Sequence, residues 1–220
     1  MALPDLAHKA LSETLEQLSS VADCIYRNGW AEANAGNVSI DVSSLLQPDY
    51  DPHRIADWYI VSRTGSRYRQ MAQDPIPNLV LISVGKTEQI YPNGARPTSE
   101  WQSHYRLQKA LPGFECILHT HPAEVIAFGH KYSDMDVTAR NELLAHVLPE
   151  LPLYLPEGIA FAEYQPPGSI ALAEASIRAL SNQKALVWSG HGLLCFGHDP
   201  DDALDYSEII CKACKIALML

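Results

Sequence analysis

No run of about 18 apolar residues occurs in this chain of 220, so no transmembrane helix is expected. The opening Met1-Ala-Leu-Pro-Asp5 lacks the basic start and apolar stretch of a secretory signal. Positive charge is scarce: 16 Lys and Arg stand against 26 Asp and Glu, a net charge of −10, and no basic stripe interrupts the acidic background. A nucleic-acid partner is therefore not expected, nor a membrane one. Walker and GxGxxG loops are missing, which leaves nucleotide chemistry unsupported. Cysteine is sparse and odd in number, five without the spacing of a disulfide framework, which fits free thiols in a reducing, cytoplasmic setting. Cys211 and Cys214 lie three apart on a helical pattern and read either as a metal pair or as buried thiols. There is no internal repeat, linker or low-complexity segment. An apolar fraction of 47% can bury a sizeable core, so residues 1–220 are expected to form one domain.

Periodicity supplies the elements. Leu11, Leu15, Leu18, Ala22 and Ile25 mark an amphipathic helix over Leu6–Gly29, with Gly29 as its stop. Strands are expected at 38–42, 58–61, 79–84, 88–91, 116–119, 151–154, 158–162, 185–188 and 193–196. Helices are expected from a Thr98 or Ser99 cap to Leu111, then over 122–131, 141–148, 169–181 and 200–220. The polar, Pro-containing 43–57 reads as a surface loop. Strands bracketed by helices predict a three-layer αβα sandwich around a mixed sheet.

Chemistry concentrates where strands end. In Cys116-Ile-Leu-His119-Thr-His121, residues two apart share one face of a strand, so two imidazoles form two corners of a metal site. A second apolar run, Lys184-Ala-Leu-Val-Trp-Ser-Gly-His191, delivers a third. Three histidines with an open fourth position are the catalytic form of a zinc site. Pro97-Thr98-Ser99-Glu100 places a carboxylate upstream, a candidate ligand or proton acceptor. Three turns hold small hydrogen-bonding residues: Asn34-Ala-Gly36-Asn37, Thr64-Gly65-Ser66 and Thr98-Ser99. Each suits a phosphate, and each is also ordinary turn chemistry. Arg63, Arg67 and Arg69 could meet a phosphorylated ligand or simply solvate a surface. His104, four residues after Glu100 on the same helical face, reads either as an ordinary helix residue or as a support behind the metal site, and Tyr154 and Tyr164 as core or pocket-lining aromatics.

Taken in order, Gly29-Trp30, Asn34-x-Gly36-Asn37-Val-Ser, the Val61–Gly65 turn, Pro97-Thr-Ser-Glu100, His119-Thr-His121-Pro and His191-Gly-Leu-Leu-x-x-Gly197 resemble the class II aldolase/adducin family over nearly the whole chain. Gly-Trp-x-Glu-x-Asn-x-Gly-Asn, Pro-Thr-Ser-Glu and Leu155-Pro-Glu-Gly158 are most similar to its L-rhamnulose-1-phosphate aldolase subgroup. The resemblance implies a mostly antiparallel sheet and one zinc ion per chain on His119, His121 and His191. It implies that Glu100 moves protons at the substrate carbon. It also implies substrate-phosphate contacts from Asn34, Gly36, Asn37, Thr64, Gly65, Thr98 and Ser99. In that subgroup a glutamate from the neighbouring subunit precedes the Pro-acid-Gly turn by a fixed interval; counted back from Pro156-Glu157-Gly158, the resemblance implies that this is Glu150, which otherwise reads as a surface glutamate after Pro149, in a homotetramer with active sites at its interfaces. The implied reaction is cleavage of a ketose 1-phosphate to dihydroxyacetone phosphate and an aldehyde, with zinc as Lewis acid and no Schiff-base lysine. Alternatives within the fold are another sugar-phosphate lyase, a dehydratase such as that of methylthioribulose phosphate, an epimerase, or a non-catalytic adducin-like module. The intact histidines and Glu100 argue against the last. The chain stops in its last predicted helix, where the subgroup carries a longer tail.

Overall fold

Side-chain alternation decides how the layers form. In strand β5 (Cys116–Thr120), Cys116 and Leu118 join one buried cluster while Ile117 joins another on the opposite face. Strand β8 (Gly192–Gly197) divides the same way, Leu193 and Cys195 against Leu194 and Phe196. A strand buried on both faces is continuously apolar, and one helical layer must cover each face. Residues 9–46, 53 and 55–220 are described by the structure, a computed structural model.

The remaining strands are β1 (Asn37–Asp41), β2 (Asp57–Ser62), β3 (Leu79–Val84), β4 (Glu88–Tyr91), β6 (Ala160–Ala162) and β7 (Ala185–Trp188). They make one eight-stranded sheet in the order β4-β3-β2-β1-β5-β8-β7-β6. Only β6 and β7 pair in parallel; every other neighbouring pair is antiparallel. The expected mixed, mostly antiparallel sheet is thus what forms.

Helix α1 (Ser12–Asn28) buries Leu15, Leu18, Val21, Ala22 and Ile25 and ends where Gly29 turns left-handed; its expected beginning at Leu6 lies outside the described residues. With α1 on one face lie α3 (Tyr68–Met71), α5 (Ala123–Lys131), α6 (Val137–Val147), α7 (Leu151–Tyr154) and the C-terminal α9 (Pro200–Met219). Helices α4 (Trp101–Ala110) and α8 (Ile170–Ala179) cover the other.

Several expectations need correction. Leu151–Tyr154 is a helical turn, not a strand: Pro152 sits in the first turn, where its missing N–H costs nothing, and Leu155 N–H closes on Leu151 O at 2.9 Å. Part of the 43–57 loop is a short helix, α2 (Ser43–Leu46), because the Asp41 carboxylate accepts from Ser43 N–H at 2.9 Å. Helix α6 begins before Asn141, since Asp136 caps it by accepting from Ala139 N–H. The strand expected at 158–162 shortens to β6, and Gly192 belongs to β8 rather than to the turn before it. Tyr154 and Tyr164 are exposed rather than in the core; Tyr154 lines a small surface pocket with Asp205, Glu208, Ile209 and Lys212. Cys211 and Cys214, spaced Cys-x-x-Cys, are free thiols buried along α9. Among the described residues no helix is long and apolar enough to cross a membrane.

Candidate metal centre and substrate cleft

His119 follows Ile117 on the face covered by α4 and α8, and it is fully buried. Its Nδ1 lies 3.0 Å from Leu193 O on β8. An N–H donated to that carbonyl puts the ring's lone pair on Nε2. Two glycines make room for this arrangement. A Cβ at Gly192 would stand 2.5 Å from Thr120 O and 2.9 Å from ring carbons of both His119 and His121. A Cβ at Gly36, where φ is +72°, would stand 2.6 Å from His119 O. The same carbonyl accepts from the buried Tyr68 hydroxyl at 3.1 Å.

His121 lies just past the end of β5, its backbone N–H held by Trp30 O at 2.7 Å. His191 ends the turn between β7 and β8, with its N–H on Trp188 O at 2.9 Å and its ring stacked on the Trp188 indole at 5.0 Å. One nitrogen from each histidine lies within 4.8 Å of the others, and the Nε2 atoms of His119 and His121 are 3.0 Å apart. Burial, reinforced by the neighbouring imidazoles, pushes His119 below the ordinary histidine range. Burial and His121 bring His191 down to about 4. Both rings are neutral at neutral pH, the form that ligates a metal. Three converging imidazoles fit a divalent cation with an open position.

Glu100 closes one side. It is the residue before α4, so the cap falls on it rather than on Thr98 or Ser99; Thr98 Oγ1 instead accepts from Glu100 N–H at 3.3 Å. Its carboxylate stands 3.4 Å from His191 Nε2 and 3.6 Å from His119 Nε2. Burial raises its pKa, opposed by a 2.6 Å hydrogen bond donated by the Asn37 amide. One helical turn on, His104 Nδ1 meets Ser39 Oγ at 2.8 Å. The two contacts share a cause. Four helix residues and two strand residues both advance about 6–7 Å, so Glu100/His104 matches Asn37/Ser39. His104 is therefore a fully buried residue facing the sheet, not an ordinary helix position.

A cleft of about 180 Å³ opens beside the histidines. Its lining includes His121, His191, Glu100 and all of the expected phosphate residues: Asn34, Gly36, Asn37, Thr64, Gly65, Thr98 and Ser99. The Thr64 and Thr98 turns are tied together. Arg63 bridges Pro97, Thr64 N–H reaches Arg96 O at 2.8 Å, and Thr98 N–H reaches Ser62 O at 2.7 Å. Thr64 also donates its hydroxyl proton to Pro97 O. The hydroxyls of Thr98 and Ser99 and the N–H of Gly65 donate to no other group among the described residues. Arg63 lines the same wall and is exposed. Arg67 and Arg69 are not in the lining. Neither is Glu150, which is exposed ahead of α7, so a single chain does not bring it to the histidines. Reading the sequence missed Gly192 and Tyr68, whose signals were only a glycine after a histidine and an aromatic in a polar segment; Glu32 stood in the Gly-Trp-x-Glu-x-Asn motif but was given no role.

Over residues 16–218 the chain matches the family described as Class II Aldolase and Adducin N-terminal domain. A rhamnulose-1-phosphate aldolase of Listeria welshimeri is 28% identical over 231 aligned residues, covering 94% of this chain and 83% of the relative. One from Bacteroides thetaiotaomicron is 25% identical, covering 94% and 86%. Among solved structures, a sugar-phosphate aldolase from Thermotoga maritima superposes with a TM-score of 0.81 at 27% identity over 95% of each chain. An L-fuculose-1-phosphate aldolase from Thermus thermophilus, 18% identical with a TM-score of 0.68 over 94% of each chain, shares the fold.

Proposed function

Because the chain belongs to the class II aldolase and adducin family, we propose that it is a metal-dependent aldehyde-lyase that cleaves a ketose 1-phosphate. The substrate in this reading is L-rhamnulose 1-phosphate, and the products are dihydroxyacetone phosphate and L-lactaldehyde. The observation that carries it is one cleft, beside a group of three converging imidazoles, that is lined by a buried carboxylate and two tied hydroxyl-bearing turns. The sugar follows the names of the Listeria and Bacteroides relatives.

His119, His121 and His191 would hold one divalent cation, zinc in this proposal, which supplies Lewis acidity toward the ketose oxygens. The chain's own residues do the rest. Glu100, desolvated and oriented by Asn37, takes or returns the proton on the carbon of the dihydroxyacetone phosphate half. Thr98, Ser99, Gly65 and the Arg63 guanidinium receive the phosphate, and fixing that end sets the bond to be broken against Glu100 and the histidines. No lysine lines the cleft among the described residues, so a Schiff-base route has no candidate there. Glu150 serves a neighbouring subunit in a homotetramer, where it takes the proton from the hydroxyl on the aldehyde side.

The test is a product assay on zinc-loaded protein with rhamnulose, fuculose, ribulose and methylthioribulose phosphates. Dihydroxyacetone phosphate should appear fastest from rhamnulose 1-phosphate. Glu100→Gln should keep the metal and lose both cleavage and exchange of the dihydroxyacetone phosphate carbon proton. No dihydroxyacetone phosphate from any of the four would overturn the aldolase reading; wild-type exchange in Glu100→Gln would remove Glu100 as the base.

A further inference from the structure

We propose that Glu32 is a positioning residue of the metal centre, holding the His121 ring so that its Nε2 lone pair faces the cation. The inference rests on the metal reading of the three histidines, not on the identity of the sugar. The two nitrogens of an imidazole point to opposite sides of the ring. For His121, Nε2 faces the cluster, 3.0 Å from His119 Nε2, while Nδ1 faces outward, 3.5 Å from Glu32 Oε1. An Nδ1–H directed at a carboxylate assigns the lone pair to Nε2 and raises the basicity of that nitrogen. His119 solves the same problem with a different acceptor, Leu193 O at 3.0 Å from its Nδ1. Nδ1 of His191 is buried without a hydrogen-bond partner among the described residues, so the three rings are oriented by unlike means: a carbonyl, a carboxylate and stacking on Trp188.

The contact at 3.5 Å is longer than a hydrogen bond, and the Glu32 side chain, 71% exposed, is free to close it. What fixes the carboxylate near His121 is the backbone. Trp30 O accepts from His121 N–H at 2.7 Å, and the Trp30 indole donates to Glu124 at 3.2 Å. Glu32 lies two residues along from that anchor, on the loop that continues to Asn34 and Asn37 in the cleft. One loop thus touches the metal ligand from behind and the substrate space from within. The competing reading is an exposed glutamate that merely solvates the turn.

The experiment measures zinc affinity of the full chain by competition with a chelator, without substrate. Glu32→Ala should weaken zinc binding by about 10- to 100-fold, the usual cost of losing a partner behind a ligating imidazole. Glu32→Gln should stay within about threefold of wild type, because the amide oxygen still accepts from Nδ1–H. In metal-free protein, long-range proton–nitrogen NMR should find His121 mainly as the Nδ1–H tautomer in wild type and shifted toward Nε2–H in Glu32→Ala. Unchanged affinity in Glu32→Ala beside tight wild-type binding would overturn the role of Glu32 alone. Glu32→Gln as weak as Glu32→Ala would assign the effect to charge and also overturn positioning. A wild type that binds no zinc would overturn the metal reading and this inference with it. Because no sugar is present, a wrong substrate assignment leaves the result standing.

Discussion

The Asn37 side-chain amide donates to the Glu100 carboxylate at 2.6 Å, and the pairing follows from strand register. Asn37 lies directly opposite His119 across the β1–β5 pair, so the residue that orients the carboxylate sits beside a metal-ligand candidate on the same face. Glu100 is 5% exposed, and a buried carboxylate that loses its donor is left short by roughly 1–3 kcal/mol. Asn37→Ala should therefore lower turnover by about 10- to 100-fold while zinc content, read by elemental analysis, stays at the wild-type level. Turnover equal to wild type would show that Glu100 needs no orienting partner.

Gly192 and His119 form a second close relationship, since any side chain at 192 meets the His119 and His121 rings and the Thr120 carbonyl together. The obstruction includes backbone, which cannot rotate away. Gly192→Ala should destabilise the protein by about 1–3 kcal/mol and weaken zinc binding as the rings splay. Thermal denaturation with and without chelator separates the two effects: the variant should gain less stability from zinc than wild type gains. An equal zinc-dependent shift in melting temperature would mean that the ring geometry survives the extra methyl.

The parts of the site that were legible in the sequence are those governed by short-range periodicity. His119 and His121 share a face because strand side chains alternate, and His191 follows an apolar run that could only be buried. Glu100 was legible as a carboxylate ahead of a helix, although its place as the cap was not, because Thr98 and Ser99 are better capping residues by type. Glu32 stood in a family motif and His104 on the helical face of Glu100, but the contact of the first with His121 and of the second with Ser39 was not legible. Their roles depend on which loop passes behind which strand, and no local pattern encodes that. The run Leu151-Pro-Leu-Tyr154 failed for another reason: four apolar residues carry too little periodicity to separate a strand from a helical turn. Family motifs singled out the turns at Asn34, Thr64 and Thr98 that line the cleft, which residue types alone left ambiguous.

His104 gives a pH dependence with a definite sign. Burial lowers its pKa from 6.5 to about 3. The unfolded chain therefore takes up a proton here before the folded one does. The stability this residue contributes is complete above about pH 6.5 and is lost progressively as pH falls toward 3, at up to about 1.4 kcal/mol per pH unit. His191, brought down to about 4, adds a loss of the same sign over a shorter range. His104→Asn keeps a side chain that can hydrogen-bond the Ser39 hydroxyl in either direction and cannot titrate. Denaturant unfolding of metal-free protein across this range should give a shallower slope for the variant than for wild type. Parallel slopes would mean that His104 is protonated in the fold without penalty.

Arg63 tests the proposed phosphate contact. It lines the wall beside Thr64, Gly65 and Ser99, and no carboxylate pairs with it among the described residues. A guanidinium with no internal partner can meet a phosphate with two parallel hydrogen bonds. Arg63→Ala should raise KM for the ketose 1-phosphate by about 10- to 100-fold with a much smaller change in kcat, the loss of one charge-assisted contact made in ground and transition state alike. The unphosphorylated ketose, assayed at high concentration, should respond little. An equal effect on both substrates would place Arg63 in the structure of the turn rather than on the phosphate.

Glu150 tests the assembly. It is exposed ahead of α7 and away from its own chain's cleft, so a role in catalysis requires a second subunit. A cyclic head-to-tail interface lets one chain complete the site of the next. In that arrangement His121→Ala and Glu150→Ala would each be strongly impaired alone, for reasons located in different chains. Mixed oligomers would contain some sites with three histidines from one chain and an intact Glu150 from its neighbour. Activity should then return to a fraction of wild type on mixing, in proportion to subunit exchange verified by mass spectrometry. Exchange without recovered activity would argue that Glu150 acts within its own chain or not at all, and the homotetramer would lose its functional argument.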